Sequence, residues 1–153
     1  MSKKRPTWDQ TFMELADVIA KRSKDPSTQV GAVVVNKDRV VLSMGYNGFP
    51  RGVLDNEELY NNRELKYKYI SHAEQNALDF AETSLKGCVI YVSAMPGIPC
   101  TQCTKSIIQK GLSEVVVKSK RGTDIPDRWV DDFNISKEMF MWAGIRVRSL
   151  DGS

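Results

Sequence analysis

The sequence has one histidine, three cysteines, a net charge of only +3 and no long apolar run. Each shortage excludes something. Without about 18 consecutive apolar residues there is no membrane-spanning helix to expect. Met1 to Arg5 is basic, but Pro6, Thr7 and Trp8 follow instead of an apolar stretch, so no secretory signal is expected. Three cysteines (Cys88, Cys100 and Cys103) are an odd number, and with no secretory signal a disulfide framework is not expected. Cys100 and Cys103 then read as a metal site or a redox pair. The small positive charge gives no argument for nucleic acid as a partner, though it suits small phosphates. No repeat, low-complexity segment or linker interrupts the chain. Its 153 residues, 41% apolar and 27% charged, predict one globular domain over 1–153. A cytoplasmic location, or the host cytoplasm for a viral chain, is the matching expectation.

Thr7 and Gln10 have capping-box spacing, and Phe12, Leu15, Ala16, Ile19 and Ala20 repeat with helical period, predicting a first helix that stops near Ser23. Val30 to Val35 and Val40 to Tyr46 read as two strands joined by the turn Asn36-Lys37-Asp38, hence a hairpin. The stretch 45–52 is glycine-rich and irregular. Residues 51–69 are polar and charged and predict a long, partly helical loop of the kind that carries function. Beyond it come a helix opening at His72, a strand at Cys88 to Val92, a helix at Cys100 to Lys110, and a strand at Val115 to Val117. A last helix at Phe133 to Ala143, closed by Gly144, leads into a strand at Ile145 to Val147. Strands alternating with helices after a hairpin imply an α/β fold whose sheet is partly parallel.

Two motifs sit at predicted helix starts: His72-Ala73-Glu74 and Pro99-Cys100-Thr101-Gln102-Cys103. Cysteines at i and i+3 point to one side of a helix. The helix N-terminus favours the thiolate, the form that binds metal. Pro99 suits a position at or before the first turn, where a missing N–H costs nothing. His72 supplies a third ligand, which leaves one position of a tetrahedral zinc open, as catalytic sites require. The combination H-x-E with P-C-x-x-C is the signature by which zinc nucleobase deaminases are recognised. In that reading Glu74 shuttles a proton from water to the ring and on to the departing amine. Ser71 and Glu74 also have capping-box spacing, which is the plain structural alternative for Glu74. Cys88 reads as a buried small hydrophobe, and Tyr60, Tyr67 and Tyr69 as packing residues.

With these motifs, Arg22-Ser23-Lys24-Asp25-Pro26, Gln29-Val30-Gly31-Ala32, Gly45-Tyr46-Asn47-Gly48-Phe49-Pro50-Arg51-Gly52 and Asn76, the sequence resembles the deoxycytidylate deaminase family from about Phe12 to Val147. The resemblance implies a three-layer α/β/α cytidine deaminase-like sandwich with a mixed five-stranded sheet. It implies hydrolysis of dCMP, one Zn2+ held by His72, Cys100 and Cys103, and Glu74 as catalytic residue. Arg22, Lys24, Asn36 and Ala73 are the substrate residues it suggests, with Arg22 and Lys24 near the 5′-phosphate and Asn36 on the sugar hydroxyl. Gly45, Tyr46, Asn47, Gly48 and Arg51 correspond to a regulatory nucleotide site where dCTP activates and dTTP inhibits, with Mg2+ accompanying the triphosphate. Bare glycine backbone suits close approach of phosphate oxygens. A homo-oligomer, favoured as a hexamer, is implied as well. The sequence departs from the family at Ser93 to Ile98, which is longer than usual, and after Val117, where Lys120 or Arg121 stands in for an expected tyrosine. Two other readings stay open: a deaminase acting on free cytidine, a tRNA adenosine or single-stranded DNA, and a zinc-stabilised nucleotide-binding protein without turnover.

Overall fold

Continuous apolar runs along the central strands build a sheet with two buried faces. The computed structural model describes residues 4–95, 98–119 and 127–150. Five strands, β1 (Gly31–Val35), β2 (Val41–Tyr46), β3 (Val89–Met95), β4 (Glu114–Ser119) and β5 (Arg146–Leu150), form one sheet in the order β2-β1-β3-β4-β5. β1 pairs antiparallel with both β2 and β3, whereas β3, β4 and β5 run parallel. The sheet is therefore mixed.

Side chains one residue apart face opposite layers. Ala32, Val34, Ile90, Val92, Val115 and Val117 pack with Ala73, Ala77, Leu78, Ile107, Phe133 and Phe140. Those six come from α4 (Ala73–Asp79), α5 (Thr101–Gln109) and α6 (Asp127–Ala143). Val33, Val35, Tyr91 and Val116 pack on the other side against Phe12, Met13 and Ala16 of α1 (Trp8–Ala20). The result is the expected three-layer sandwich, with one helix on one face and three on the other. Cys88 is 2% exposed in the core, in keeping with its reading as a hydrophobe.

Several boundaries differ from those read in the sequence. Residues 51–69 hold two short helices, α2 (Glu57–Asn61) and α3 (Arg63–Tyr69). Asn56 and Asn62 cap them through their side chains, a local signal hidden in a polar run. β3 continues to Met95, three residues beyond the apolar run, so half of the lengthened 93–98 segment is strand; its pairing with β4 shifts register after Val92. Pro96 and Gly97 lie outside the described residues, as do Lys120 and Arg121. α6 begins at Asp127, well before Phe133; acidic Asp127, Asp131 and Asp132 mask these first turns, where Trp129 alone continues the apolar spacing back from Phe133. Among the described residues no helix is long and apolar enough to cross a membrane.

Candidate active site

The parallel strand β3 delivers the chain at its C-terminal end to Pro99 and Cys100, the edge where ligands sit in open α/β sheets. Cys100 is the N-cap of α5 and His72 the N-cap of α4, and neither side chain makes a capping hydrogen bond. Both are turned to each other instead. His72 Nδ1 lies 3.3 Å from Cys100 Sγ and 3.4 Å from Cys103 Sγ. All three ligand atoms fall within 4.8 Å of one another. A tetrahedral zinc with Zn–N of about 2.0 Å and Zn–S of about 2.3 Å has N···S edges of about 3.5 Å, so this donor set fits zinc. The three groups also share protons closely. Cys100 is pushed down to about 4, chiefly by the hydrogen bond from Cys103, with burial opposing and His72 assisting. Cys103 is pushed up, first by that same hydrogen bond and then by burial. His72 is pushed up to about 9 by its hydrogen bond to Cys100, against burial, with the charges of Glu74, Cys100 and Asp132 adding to the rise. With all three donor atoms within 4.8 Å of one another, two sulfurs and an imidazole form a ligand set for a dication.

Glu74 follows in the first turn of α4 and is 1% exposed. Its Oε2 has no hydrogen-bond partner. Burial raises its pKa, with His72 pulling the other way. The capping-box alternative does not describe this geometry: α4 is capped at His72, and Ser71 Oγ donates to Asn76 Oδ1.

A cavity of about 420 Å³ opens onto this cluster, within the usual size of ligand sites. His72, Ala73, Glu74 and Cys100 line it together with Asp25, Ser27, Thr28 and Asn47. Tyr67, Trp129 and Phe133 give it an aromatic surface, with Tyr67 edge-on to Trp129 and Trp129 stacked toward Phe133. Arg63 and Lys66 of α3 are the Arg and Lys side chains among its described lining residues. Lys66 Nζ donates to Asp25 Oδ1 at 2.8 Å, and both side chains are buried. Asp25 Oδ1 also accepts the N–H groups of Ser27 and Thr28, so this carboxylate ties the loop after α1 to α3.

The remaining expected residues fall elsewhere or do other work. Arg22 is exposed and Lys24 pairs with Asp55 at the surface; neither lines the cavity. Asn36 ends β1 beside the start of β3, so the length of β3, seven residues and roughly 20 Å, separates it from Cys100. Its amide oxygen is spent on the N–H groups of Asp38 and Val40 in the hairpin turn. Within 45–48 the glycine-rich backbone is engaged internally. A Cβ on Gly45 would stand 2.6 Å from Ala77 N and 2.8 Å from Ala73 O, so this glycine lets α4 lie against β2. Gly48 N–H donates to Ser71 O, and Asn76 Nδ2 donates to Tyr46 O. Asn47 accepts from Val30 N and donates to Thr28 O, bracing the loop that holds Asp25. Tyr46 stays partly exposed, and the Arg51 guanidinium lies 4.3 Å over Phe80. Tyr60 stacks on Phe49 at 4.1 Å.

Sequence reading missed Asp25, Arg63, Lys66, Trp129 and Phe133. Trp129 and Phe133, at i and i+4, did carry a readable signal: two aromatics on one helix face.

Comparison with known proteins places this geometry. The sequence profile of the cytidine and deoxycytidylate deaminase zinc-binding region matches residues 6–119. An uncharacterised deaminase in the luxG 3′ region of Aliivibrio fischeri is 41% identical over 140 residues, covering 92% of this chain and 91% of that protein. The deoxycytidylate deaminase of Homo sapiens is 37% identical over 147 residues, covering 92% of this chain and 78% of that one. The apo crystal structure of dCMP deaminase from cyanophage S-TIM5 superposes with a TM-score of 0.70 at 25% identity, covering 96% of this chain and all of that one.

Proposed function

The chain belongs to the cytidine and deoxycytidylate deaminase family, and from that premise we propose that it hydrolyses dCMP to dUMP and ammonia. The observation that carries this reading is Glu74: a fully buried carboxylate with an unpartnered oxygen, beside the His72, Cys100 and Cys103 cluster at the cavity. A structural zinc has no use for such a group.

His72, Cys100 and Cys103 would hold Zn2+, and Ala73 lines the cavity between the metal ligand and the acid. Bound there, zinc would supply Lewis acidity, which lowers the pKa of water from about 15.7 to about 7. Glu74 takes a proton from the attacking water. It delivers that proton to the ring nitrogen next to C4, then takes the remaining proton of the hydroxyl added at C4 and passes it to the amine as the C4–N bond breaks and the C4=O bond forms. Water adds, ammonia leaves, and Glu74 ends as it began. Burial holds the carboxyl above its ordinary range, which suits a group that must both take and give a proton near neutrality. The aromatic surface of Tyr67, Trp129 and Phe133 offers apolar contact to a base and screens the centre from water. Arg63, which lines the cavity beside the Lys66–Asp25 ion pair, takes the role of receiving the 5′-phosphate that the sequence suggested for Arg22 and Lys24.

Regulation by dCTP and dTTP, with Mg2+ on the triphosphate, is the finer part of the proposal. Its support is the resemblance of 45–51 to the family's regulatory segment and the exposure of Tyr46. With Gly45 packed against α4, such a site uses side chains of this edge, Tyr46 and Arg51, instead of bare amides. A hexameric assembly belongs to the same reading, supported by the exposed Met141 and Trp142 at the end of α6. So does a cytoplasmic location, supported by cysteines that are free and must stay reduced to bind metal.

The test is ammonia release by the zinc-loaded protein from dCMP, CMP, deoxycytidine and a cytosine oligonucleotide. Preference for dCMP is expected, and Arg63→Ala should raise KM for dCMP while leaving deoxycytidine unaffected. Preference for the oligonucleotide or for deoxycytidine contradicts the substrate assignment. Nucleotide binding with no ammonia from any of them supports the non-catalytic reading. Titration of dCTP and dTTP in the same assay tests regulation: a flat response to both removes it.

A further inference from the structure

Helix α5 begins with a problem that its own sequence cannot solve. The first N–H groups of any helix need acceptors, and an N-cap Ser, Thr, Asp or Asn usually provides one. Here the N-cap is Cys100, whose sulfur faces His72 and makes no capping bond. An acceptor for the first of these N–H groups comes from another helix. Asp132 of α6 accepts the backbone N–H of Thr101 on Oδ2 at 3.1 Å and the Thr101 hydroxyl on Oδ1 at 2.9 Å. Thr101 stands between the two sulfur ligands. Asp132 in turn stands between Trp129 and Phe133, the two α6 residues that line the cavity.

We propose that Asp132 is a positioning residue: by capping α5 from α6 through both oxygens, it fixes Cys100 and Cys103 for the metal and sets the Trp129 and Phe133 surface in register with them. The proposal rests on the zinc reading of His72, Cys100 and Cys103. It adds a residue that no local motif marks and that touches neither metal nor substrate. A carboxylate gripping a ligand-bearing backbone is the outer support that metal sites depend on, and its loss typically costs about 10–100-fold in metal affinity or activity. Two parallel hydrogen bonds also fix orientation better than one.

The experiment compares wild type with Asp132→Ala, Asp132→Asn and Thr101→Ala in three readouts: zinc retention against a competing chelator, the ligand-field bands of the cobalt(II)-substituted protein, and KM against kcat for dCMP. Asp132→Ala should lose about 10–100-fold in zinc retention, shift the cobalt bands and raise KM. Asp132→Asn keeps an acceptor for the Thr101 N–H and should recover most of the zinc retention. Thr101→Ala removes one bond without touching α6; should Asp132→Ala fail to fold, it keeps the test decisive, with an expected loss of about threefold to tenfold. Wild-type zinc retention and cobalt bands in both Asp132→Ala and Thr101→Ala, with only a lower melting temperature, would overturn the proposal and leave Asp132 a plain helix cap. A wild-type protein that takes up neither zinc nor cobalt overturns the zinc reading itself and this assignment with it, an outcome distinct from a metal-loaded wild type beside an unaffected variant.

Discussion

On the α1 face of the sheet, Arg148 donates to both carboxylate oxygens of Asp9 and to both of Glu114, and the Tyr91 hydroxyl donates to Asp9 at 2.6 Å. On the α4 face, Glu74 is buried more deeply than any of these and leaves one oxygen without a partner. The two clusters treat their carboxylates in opposite ways. Where each charge has its complement, the cluster joins β5, β4 and α1 and does no chemistry. Where one carboxylate is left open beside a metal-ligand set and a cavity, it weakens the fold and gains reactivity. The pKa directions carry the same contrast: the hydrogen bond from Arg148 lowers Asp9, against burial, and burial raises Glu74.

Substitution at the open carboxylate should have the largest effect. Glu74→Gln should reduce kcat for dCMP by roughly 10²–10⁴-fold while zinc content stays stoichiometric and the melting temperature holds or rises. A near-normal rate would remove Glu74 from the mechanism. Gly45→Ala acts on the same face through packing. Its Cβ would press on backbone atoms of Ala73 and Ala77, so a loss of about 1–3 kcal/mol in urea unfolding is expected, with a lower kcat because α4 carries both His72 and Glu74. If stability is unchanged and only the dCTP response is lost, Gly45 serves a nucleotide and not the helix.

The paired face should respond in stability alone. Arg148→Met should cost about 2 kcal/mol at pH 7 with kcat/KM unchanged, since charged hydrogen bonds of this kind are worth about that much. Asp9 sits below the ordinary carboxylate value in the folded state, so its contribution is present above that value and is lost as pH falls through the folded one. The gap between wild type and Arg148→Met should therefore narrow at pH 3. An equal gap at both pH values would mean that Arg148 acts by packing and not by charge. Lys24→Ala, which breaks an exposed pair with Asp55, should cost under about 1 kcal/mol and leave KM for dCMP unaltered. A marked rise in KM would return the phosphate to Lys24.

The sheet and its two layers were legible because Val30 to Val35, Val89 to Val92 and Val115 to Val117 are β-branched runs bounded by turns. His72, Glu74, Cys100 and Cys103 were legible because each motif is contiguous. What stayed hidden is non-local or polar. Lys66 and Asp25 are 41 residues apart, and Asp132 and Thr101 are 31 apart; no spacing rule links such pairs. The short helices of 57–69 lack an apolar period and the first turns of α6 carry only the Trp129 and Phe133 spacing among acidic residues, so their capping and packing partners appear only in the fold. Asn36 shows the converse: a residue adjacent to a strand end in sequence, at the wrong end of that strand for the site.

The most direct test of the account is ammonia release from dCMP by the zinc-loaded protein, measured beside Glu74→Gln with matched zinc content. The account predicts steady turnover by the wild type and a loss of at least about 10²-fold in the variant. Equal rates from the two proteins, or none from the zinc-loaded wild type, would contradict it.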